Sequence, residues 1–233
     1  MRQKIFLFFA LFILALFSAC DSGDIYPPED ESTENTISAK FLFSGLETFP
    51  RSYLLIFGAF GEDDSPIVSA TITQPKKGEA TQVSLNNIPE EATSVRLCIS
   101  TLGRQPLYTF FEKTIDNSIG DIQIPETEIN LLQYGRIQQQ VFELGTCASC
   151  HGITSGAANL KLGVGVSYND LVNKKATKSE KNRVEPFQVS ESFLIDVLTN
   201  PEVNLSHPHT TILHKEEDID LLKTWIEQGA LEE

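Results

Sequence analysis

The residues best placed to do chemistry in this sequence are two cysteines and a histidine that stand close together, Cys147, Cys150 and His151. Their spacing, C-x-x-C-H, is the attachment signature of a c-type haem. Two thiols at this spacing can each add to a vinyl group of one porphyrin, and the next residue then presents an imidazole to the iron. The motif predicts one covalent haem per chain, attached through Cys147 and Cys150, with His151 as an axial ligand.

Two other chemistries also use paired cysteines. A zinc site needs further ligands from elsewhere, and adjacent residues such as Cys150 and His151 rarely both reach one tetrahedral ion. A thioredoxin-like dithiol belongs in a βαβ context, which this sequence lacks. Haem attachment is therefore the favoured interpretation, and zinc binding and dithiol chemistry are its alternatives.

The N-terminus has the pattern of an export signal. Arg2 and Lys4 precede an unbroken apolar run over residues 5–17, and small residues stand before Cys20. This is typical of a bacterial lipoprotein signal, in which Cys20 receives a lipid; an ordinary cleaved signal or an uncleaved anchor is the alternative. We expect a signal peptide over residues 1–19 and a lipid-anchored protein at the periplasmic or outer-membrane face of the cell envelope.

The charge balance limits the partners. The formal net charge is −14, from 18 basic and 32 acidic side chains, which argues against nucleic acid and anionic lipid surfaces. Six of the acidic residues lie between Asp21 and Thr36, where there is no basic residue. Residues 20–36 are therefore expected to form a solvated acidic tether between the membrane and the folded part.

Strand-like segments recur about every ten residues across residues 37–132. The first places four apolar residues on one face, Ile37, Ala39, Phe41 and Phe43. The others read SYLLIFGAF, PIVSATITQ, ATQVSLNNI, SVRLCIST and PLYTFFEKTI.

This rhythm predicts an antiparallel, immunoglobulin-like sandwich over residues 37–132. The stretch has no histidine and no carboxylate cluster in an apolar setting, so we expect a spacer or docking module. The lone Cys98 is expected to be a small buried side chain rather than a reactive thiol.

The periodicity changes near Tyr134. Four segments then favour helices: RIQQQVFELG, SYNDLVNKK, SESFLIDVLTN and EEDIDLLKTWIEQGA. The last has acidic residues in its first turn and Gly229 as a natural stop. All four histidines and both motif cysteines fall in this region, so any metal chemistry is expected there.

Residues from about Ile137 to Leu231 resemble a small c-type cytochrome domain of the kind fused to exported bacterial proteins. The resemblance is carried by CASCHG, LKL, YNDLVN, RVEPFQVSESFLIDVL and EEDIDLLKTWIEQGA. It implies an all-α cytochrome c domain over residues 135–233, one haem c, and single-electron transfer. Where the family has a Pro-Gly turn this sequence reads EPFQ, and where it has Met-Pro before the last helix this sequence reads NLSHPHTTILH.

That last difference leads to a prediction for the second axial ligand. His207 stands immediately before Pro208, at the family's methionine position, so His151 and His207 are expected to ligate the iron together. His209 and His214 are the alternate ligands, and an open iron is the remaining alternative. Bis-histidine ligation predicts a lower potential than histidine–methionine ligation.

The resemblance also suggests roles for three further residues. Trp225 and Tyr168 are expected to pack on the porphyrin, and Arg183 to contact a haem propionate. Arg183 ends a basic stretch, residues 174–183, which is either a docking patch or a solvated loop.

The expected function is single-electron transfer to or from a redox partner protein of the cell envelope, as a carrier more than as an enzyme. The alternatives are small-ligand binding or peroxidase-like chemistry at the haem, and a β-sandwich binding module with an accessory haem domain.

Overall fold

The alternating segments form strands, and a seventh strand follows them. Pro125 interrupts the alternation of that seventh segment, and proline is tolerated there because the strand lies at a sheet edge. The strands are β1 (Ile37–Ser44), β2 (Leu54–Phe60), β3 (Pro66–Ile72), β4 (Ala80–Leu85), β5 (Ser94–Ser100), β6 (Pro106–Thr114) and β7 (Ile122–Asn130).

The strands make two sheets, in the orders β4-β1-β7 and β3-β2-β5-β6. Neighbouring strands are antiparallel except β1 and β7, which run parallel with Ile37 opposite Ile122. The inward faces share one apolar core, in which the rings of Phe41 and Phe57 meet edge to face at 5.6 Å. Cys98 on β5 is fully buried, as predicted.

The remaining chain forms short helices joined by loops. A π-helical segment, Gln138–Glu143, continues directly from the first helix. Within the described residues, no helix combines the length and apolar character needed to cross a membrane. The helices are α1 (Tyr134–Ile137), α2 (Cys147–Cys150), α3 (Ser167–Leu171), α4 (Phe193–Thr199) and α5 (Glu216–Glu227).

This computed structural model does not describe every residue of the chain. The predicted signal peptide (residues 1–19), the lipidation site Cys20, most of the tether (residues 20–36) and the alternate ligand His214 lie outside the described residues. The described residues are 35–116, 120–154, 156–203, 205–213 and 215–232.

The fold class predicted from the sequence, an immunoglobulin-like antiparallel sandwich followed by an all-α cytochrome c domain, is wrong. The structure is mainly β-sheet, with seven strands in two sheets and only 24% helix. Among the described helices, only α5 exceeds seven residues; α3 and α4 end where Val172 and Asn200 take up extended backbone. The parallel pairing of β1 with β7 also departs from an all-antiparallel sandwich.

The described chain has two parts, the β region (residues 35–132) and the C-terminal region (residues 133–232). Both belong to one compact unit, Glu34–Glu233. A second core fills the C-terminal region, where α5 buries Leu222, Trp225 and Ile226. The acidic first turn of α5 and the left-handed Gly229 after it agree with the predicted helix.

Buried polar side chains join the two regions. The Arg136 guanidinium donates to the backbone oxygens of Thr48 and Leu131, both at 2.9 Å, and to the Gln140 amide oxygen. Burial lowers the pKa of Arg136 to about 10. On α5, the Asp218 carboxylate accepts from Gln140 at 2.7 Å and from the Tyr53 hydroxyl at 3.2 Å. Residues of both regions thus satisfy one another's hydrogen bonds.

Candidate functional site

The C-x-x-C-H motif forms a single helical turn, and His151 follows it with non-helical backbone. The turn is α2; it begins after Thr146, whose φ is 61°, and ends where the His151 amide donates to the Cys147 oxygen at 2.9 Å. Cys147 is half-buried against the C-terminal core, and Cys150 is exposed. The Cys147 thiol therefore lies against the protein, and the Cys150 thiol faces solvent.

Glycines on both sides allow the chain to approach itself closely. A Cβ on Gly145 would collide with the Val141 carbonyl oxygen, and one on Gly156 would collide with the Leu160 carbonyl oxygen. Any side chain at these positions would displace the turns that flank α2. The motif is therefore fixed by local backbone packing as well as by the core beneath it.

The His151 ring is held by a backbone oxygen. Its Nδ1 lies 3.2 Å from the carbonyl oxygen of Leu160, and the Leu162 amide donates to the His151 oxygen at 2.6 Å. Because a carbonyl oxygen only accepts, Nδ1 must carry the proton in this contact. The Nε2 lone pair of His151 is then available to a metal ion.

A second imidazole faces the first. The ring centres of His209 and His151 are 6.2 Å apart, with the ring planes inclined by 37°. His209 Nδ1 lies 2.8 Å from the His207 carbonyl oxygen, which leaves its Nε2 lone pair free by the same argument. Burial, the main cause, lowers the pKa of His209 and so favours the neutral form that binds metals.

The structure thus brings three of the predicted ligands together. The His207 ring lies 5.9 Å from that of His209, at nearly a right angle. The ring of His209 contacts that of His151. The second axial ligand predicted from the sequence was His207, with His209 as an alternate.

The spacing fits a metal bound between His151 and His209. Imidazole nitrogens bind metal ions at about 2 Å, so two rings on opposite sides of one ion have centres about 6 Å apart. Within the part of the chain that the structure describes, no group of three or more His, Cys, Asp or Glu side chains is arranged to hold a metal ion. A haem iron needs only two protein ligands, because the porphyrin supplies four.

Apolar side chains around the motif also suit a large apolar cofactor. Leu144, Ile153 and Val164 are 44%, 55% and 54% exposed, respectively. Leu144 precedes α2, Ile153 follows His151, and Val164 lies next to Gly163, which packs against Ile153. Large exposed apolar side chains grouped in this way are typical of a binding surface.

Cys147 does not have the environment of the reactive cysteine of a redox pair. Burial raises the pKa of Cys147 to about 11, so this side chain is a thiol at neutral pH. Reactive dithiols instead have a cysteine whose pKa is lowered by nearby positive charge or a helix N-terminus. This environment counts against the dithiol alternative.

Trp225 and Tyr168 lie together in the C-terminal core. The Trp225 indole donates to the Leu231 oxygen at 2.7 Å, and the Tyr168 hydroxyl donates to the Ala230 oxygen at 2.9 Å. Both rings pack on Tyr134, at centre distances of 5.2 and 5.1 Å. The central position of Tyr134 between these rings could not be predicted, because no sequence motif marks it.

The Arg183 guanidinium forms hydrogen bonds and an ion pair within the protein. Its Nη1 donates to the Asp170 backbone oxygen at 2.7 Å and pairs with the Asp170 carboxylate at 3.1 Å. Its Nη2 donates to the Asn159 oxygen at 2.9 Å. Asp170 was also missed by the sequence analysis, because a lone acidic residue in YNDLVN gives no signal for such a contact.

No family model matches this chain, and neither a characterised protein nor a solved structure is significantly similar to it. The resemblance to c-type cytochromes therefore stays a prediction that depends on the sequence motifs. Any functional proposal must rest on the chemistry of the site itself.

Proposed function

We propose that this protein carries one covalent haem c and transfers single electrons. Cys147 and Cys150 attach the haem, and His151 and His209 ligate its iron. The observation that carries the proposal is the pair of imidazoles of His151 and His209, whose ring centres are 6.2 Å apart and one of which belongs to a C-x-x-C-H turn.

Each residue has a separate task in this proposal. When bound, the haem would supply an iron that can alternate between the ferric and ferrous states. His151 presents Nε2 because Leu160 holds Nδ1, and His209 presents Nε2 because the His207 oxygen holds its Nδ1. Two imidazole ligands give a lower potential than one imidazole and a methionine. Leu144, Ile153 and Val164 shield the site from water.

We further propose that the protein works at the cell envelope, anchored by lipid at Cys20, with a redox partner protein there. The export pattern of residues 1–19 and the unsuitability of an acidic chain for nucleic acid support this. Covalent haem attachment outside the cytoplasm agrees with the same location.

The test compares His209→Ala with His207→Ala, each produced with the haem-attachment machinery. We expect a wild-type absorption spectrum of six-coordinate, low-spin haem. The haem itself should stay attached to the denatured chain, since its bonds to Cys147 and Cys150 are covalent. His209→Ala should become high-spin, whereas His207→Ala should stay low-spin because the group of His207 that holds His209 Nδ1 is a backbone oxygen, which the substitution keeps.

The opposite pattern would move the ligand to His207, as the sequence analysis preferred, and would keep the electron-transfer proposal. If both variants stay low-spin, His214 becomes the ligand to test. Absence of covalent haem in the wild type would refute the proposal and return zinc binding to consideration.

A second function, binding of a small ligand or peroxide at the iron, is favoured by one observation. His209 lies in the loop between α4 and α5, and a loop ligand is displaced more easily than one on a helix. A high-spin wild-type spectrum would support this function over electron transfer.

A further inference from the structure

We infer that Arg183 and Asp170 are positioning residues that hold the hydrogen bond between Leu160 and His151. This inference rests on the proposed haem function, since it explains how one proposed ligand is aimed. Neither residue touches His151; both act through the turn formed by residues 158–161.

The two residues hold this turn at both ends. Arg183 Nη2 donates to the Asn159 oxygen at 2.9 Å, and the Asp170 carboxylate accepts from the Lys161 amide at 2.7 Å. Leu160, whose oxygen contacts His151 Nδ1, lies between these two points. Arg183 and Asp170 also bind each other, with Arg183 Nη1 3.1 Å from an Asp170 carboxylate oxygen.

The turn needs such support because its backbone is strained. Ala158 and Asn159 have φ values of 55° and 56°, a left-handed conformation that is unfavourable for most L-residues, Ala158 among them. Strained backbone persists where the surroundings over-determine it. The Arg183 side chain is only 11% exposed, and its hydrogen bond to the Asp170 backbone oxygen is half-buried.

The functional consequence follows from the hydrogen bond that the turn provides. A ligand histidine whose other nitrogen donates to an oxygen is fixed in one tautomer and becomes more basic. A more basic ligand favours the ferric over the ferrous state. Loss of the support should therefore release the His151 tautomer and raise the midpoint potential.

The first experiment uses nitrogen NMR of the His151 ring in the full-length protein made without the haem-attachment machinery. Wild type should show mainly the Nδ1–H tautomer. In Arg183→Ala, the ratio of Nδ1–H to Nε2–H should fall about fivefold, the change expected for one lost neutral hydrogen bond. Arg183→Lys should lie between the two, because it keeps a charge for Asp170 but lacks the fork that also reaches Asn159.

Lys181→Ala is the matched control. Lys181 lies on the same segment and pairs with Asp196 at 2.8 Å, but it contacts no residue of the 158–161 turn. Its His151 tautomer should equal that of wild type. A wild type without the Nδ1–H tautomer, an unchanged Arg183→Ala, or an equal loss in Lys181→Ala would each overturn the inference.

The second experiment titrates the haem-loaded proteins. Arg183→Ala should keep a low-spin spectrum with a more positive midpoint potential, whereas Lys181→Ala should keep the wild-type value. A midpoint unchanged in Arg183→Ala would show that the turn does not tune the ligand. If no haem attaches to wild type, the proposed function fails, and the tautomer measurement still decides whether Arg183 orients His151.

Discussion

The β region and the C-terminal region bury their side chains in different ways. In the β region, regular strand pairing satisfies the backbone and two sheet faces cover one core. In the C-terminal region the helices are short. Of the nine non-glycine residues with positive φ in the described chain, six lie there: Thr146, Ala158, Asn159, Asn173, Phe187 and Ala230.

The exposed side chains differ in the same direction. Among the described residues, seven large apolar side chains are exposed, and five of them belong to the C-terminal region: Leu144, Ile153, Val164, Phe187 and Leu231. Strain and uncovered apolar surface together are typical of a site rather than a scaffold. We infer that the β region supplies stability, and that the C-terminal region is less stable because its backbone positions the histidines.

The largest expected effect tests whether the two cores fold together. Phe41→Ala in the β region and Trp225→Ala in the C-terminal region should each lower the free energy of unfolding by about 3–5 kcal/mol, because each empties a fully buried site. Arg136 and Asp218 join the regions, so both variants should show one transition in urea, followed by circular dichroism.

Amide hydrogen exchange supplies the control for this prediction. In Phe41→Ala, exchange should accelerate on α5 as well as on the strands. If α5 keeps its protection while the strands lose theirs, the regions unfold separately and the buried polar contacts between them do not couple the two cores.

An intermediate effect is expected at the contact between the regions. Asp218→Ala leaves the Gln140 amide and the Tyr53 hydroxyl without their acceptor, and should lower the free energy of unfolding by about 2–3 kcal/mol. Burial raises the pKa of Asp218 above 3.8, so the folded state binds its proton more readily than the unfolded state does. Its contribution is therefore largest below pH 3.8 and falls as the pH rises through the folded-state pKa.

The measurement is urea unfolding of wild type and Asp218→Ala at several pH values. The deficit of the variant should shrink as the pH rises. Asp220→Asn is the control, because Asp220 makes an exposed pair with Arg51, and exposed ion pairs contribute little to stability. A deficit that grows with pH would contradict the assigned direction of the pKa shift.

The same contrast explains what could be predicted from the sequence. Strand positions followed from the alternation in segments such as ISAKFLF, because side chains of a strand face opposite sides in turn. The parallel partner of β1 could not be predicted, because β7 lies about eighty residues away along the chain and no local pattern records the pairing.

In the C-terminal region, the motif predicted the attachment residues but not their surroundings. Helical periodicity was real around Val141, yet it could not show that the helix becomes π-helical and ends at Glu143, before α2 begins. His207 and His209 lie in one loop, and the conformation of that loop determines which ring lies near His151. Sequence spacing alone does not predict that conformation. Arg183 could not be placed either, because two of its partners are backbone oxygens, which any sequence would offer.

The smallest expected effect has the opposite sign. Ala158 has φ 55° in the turn that supports His151, so Ala158→Gly should raise the free energy of unfolding by about 0.5–1 kcal/mol, less than the full strain because glycine also loosens the unfolded chain. The neighbouring Ala157 lacks a positive φ, so Ala157→Gly should lower stability by about 0.5–1 kcal/mol. Thermal unfolding of the two variants gives both values. If Ala158→Gly were destabilising to the same degree, the strain assigned to the turn would be wrong, and the contrast between scaffold and site would rest on the exposed apolar side chains alone.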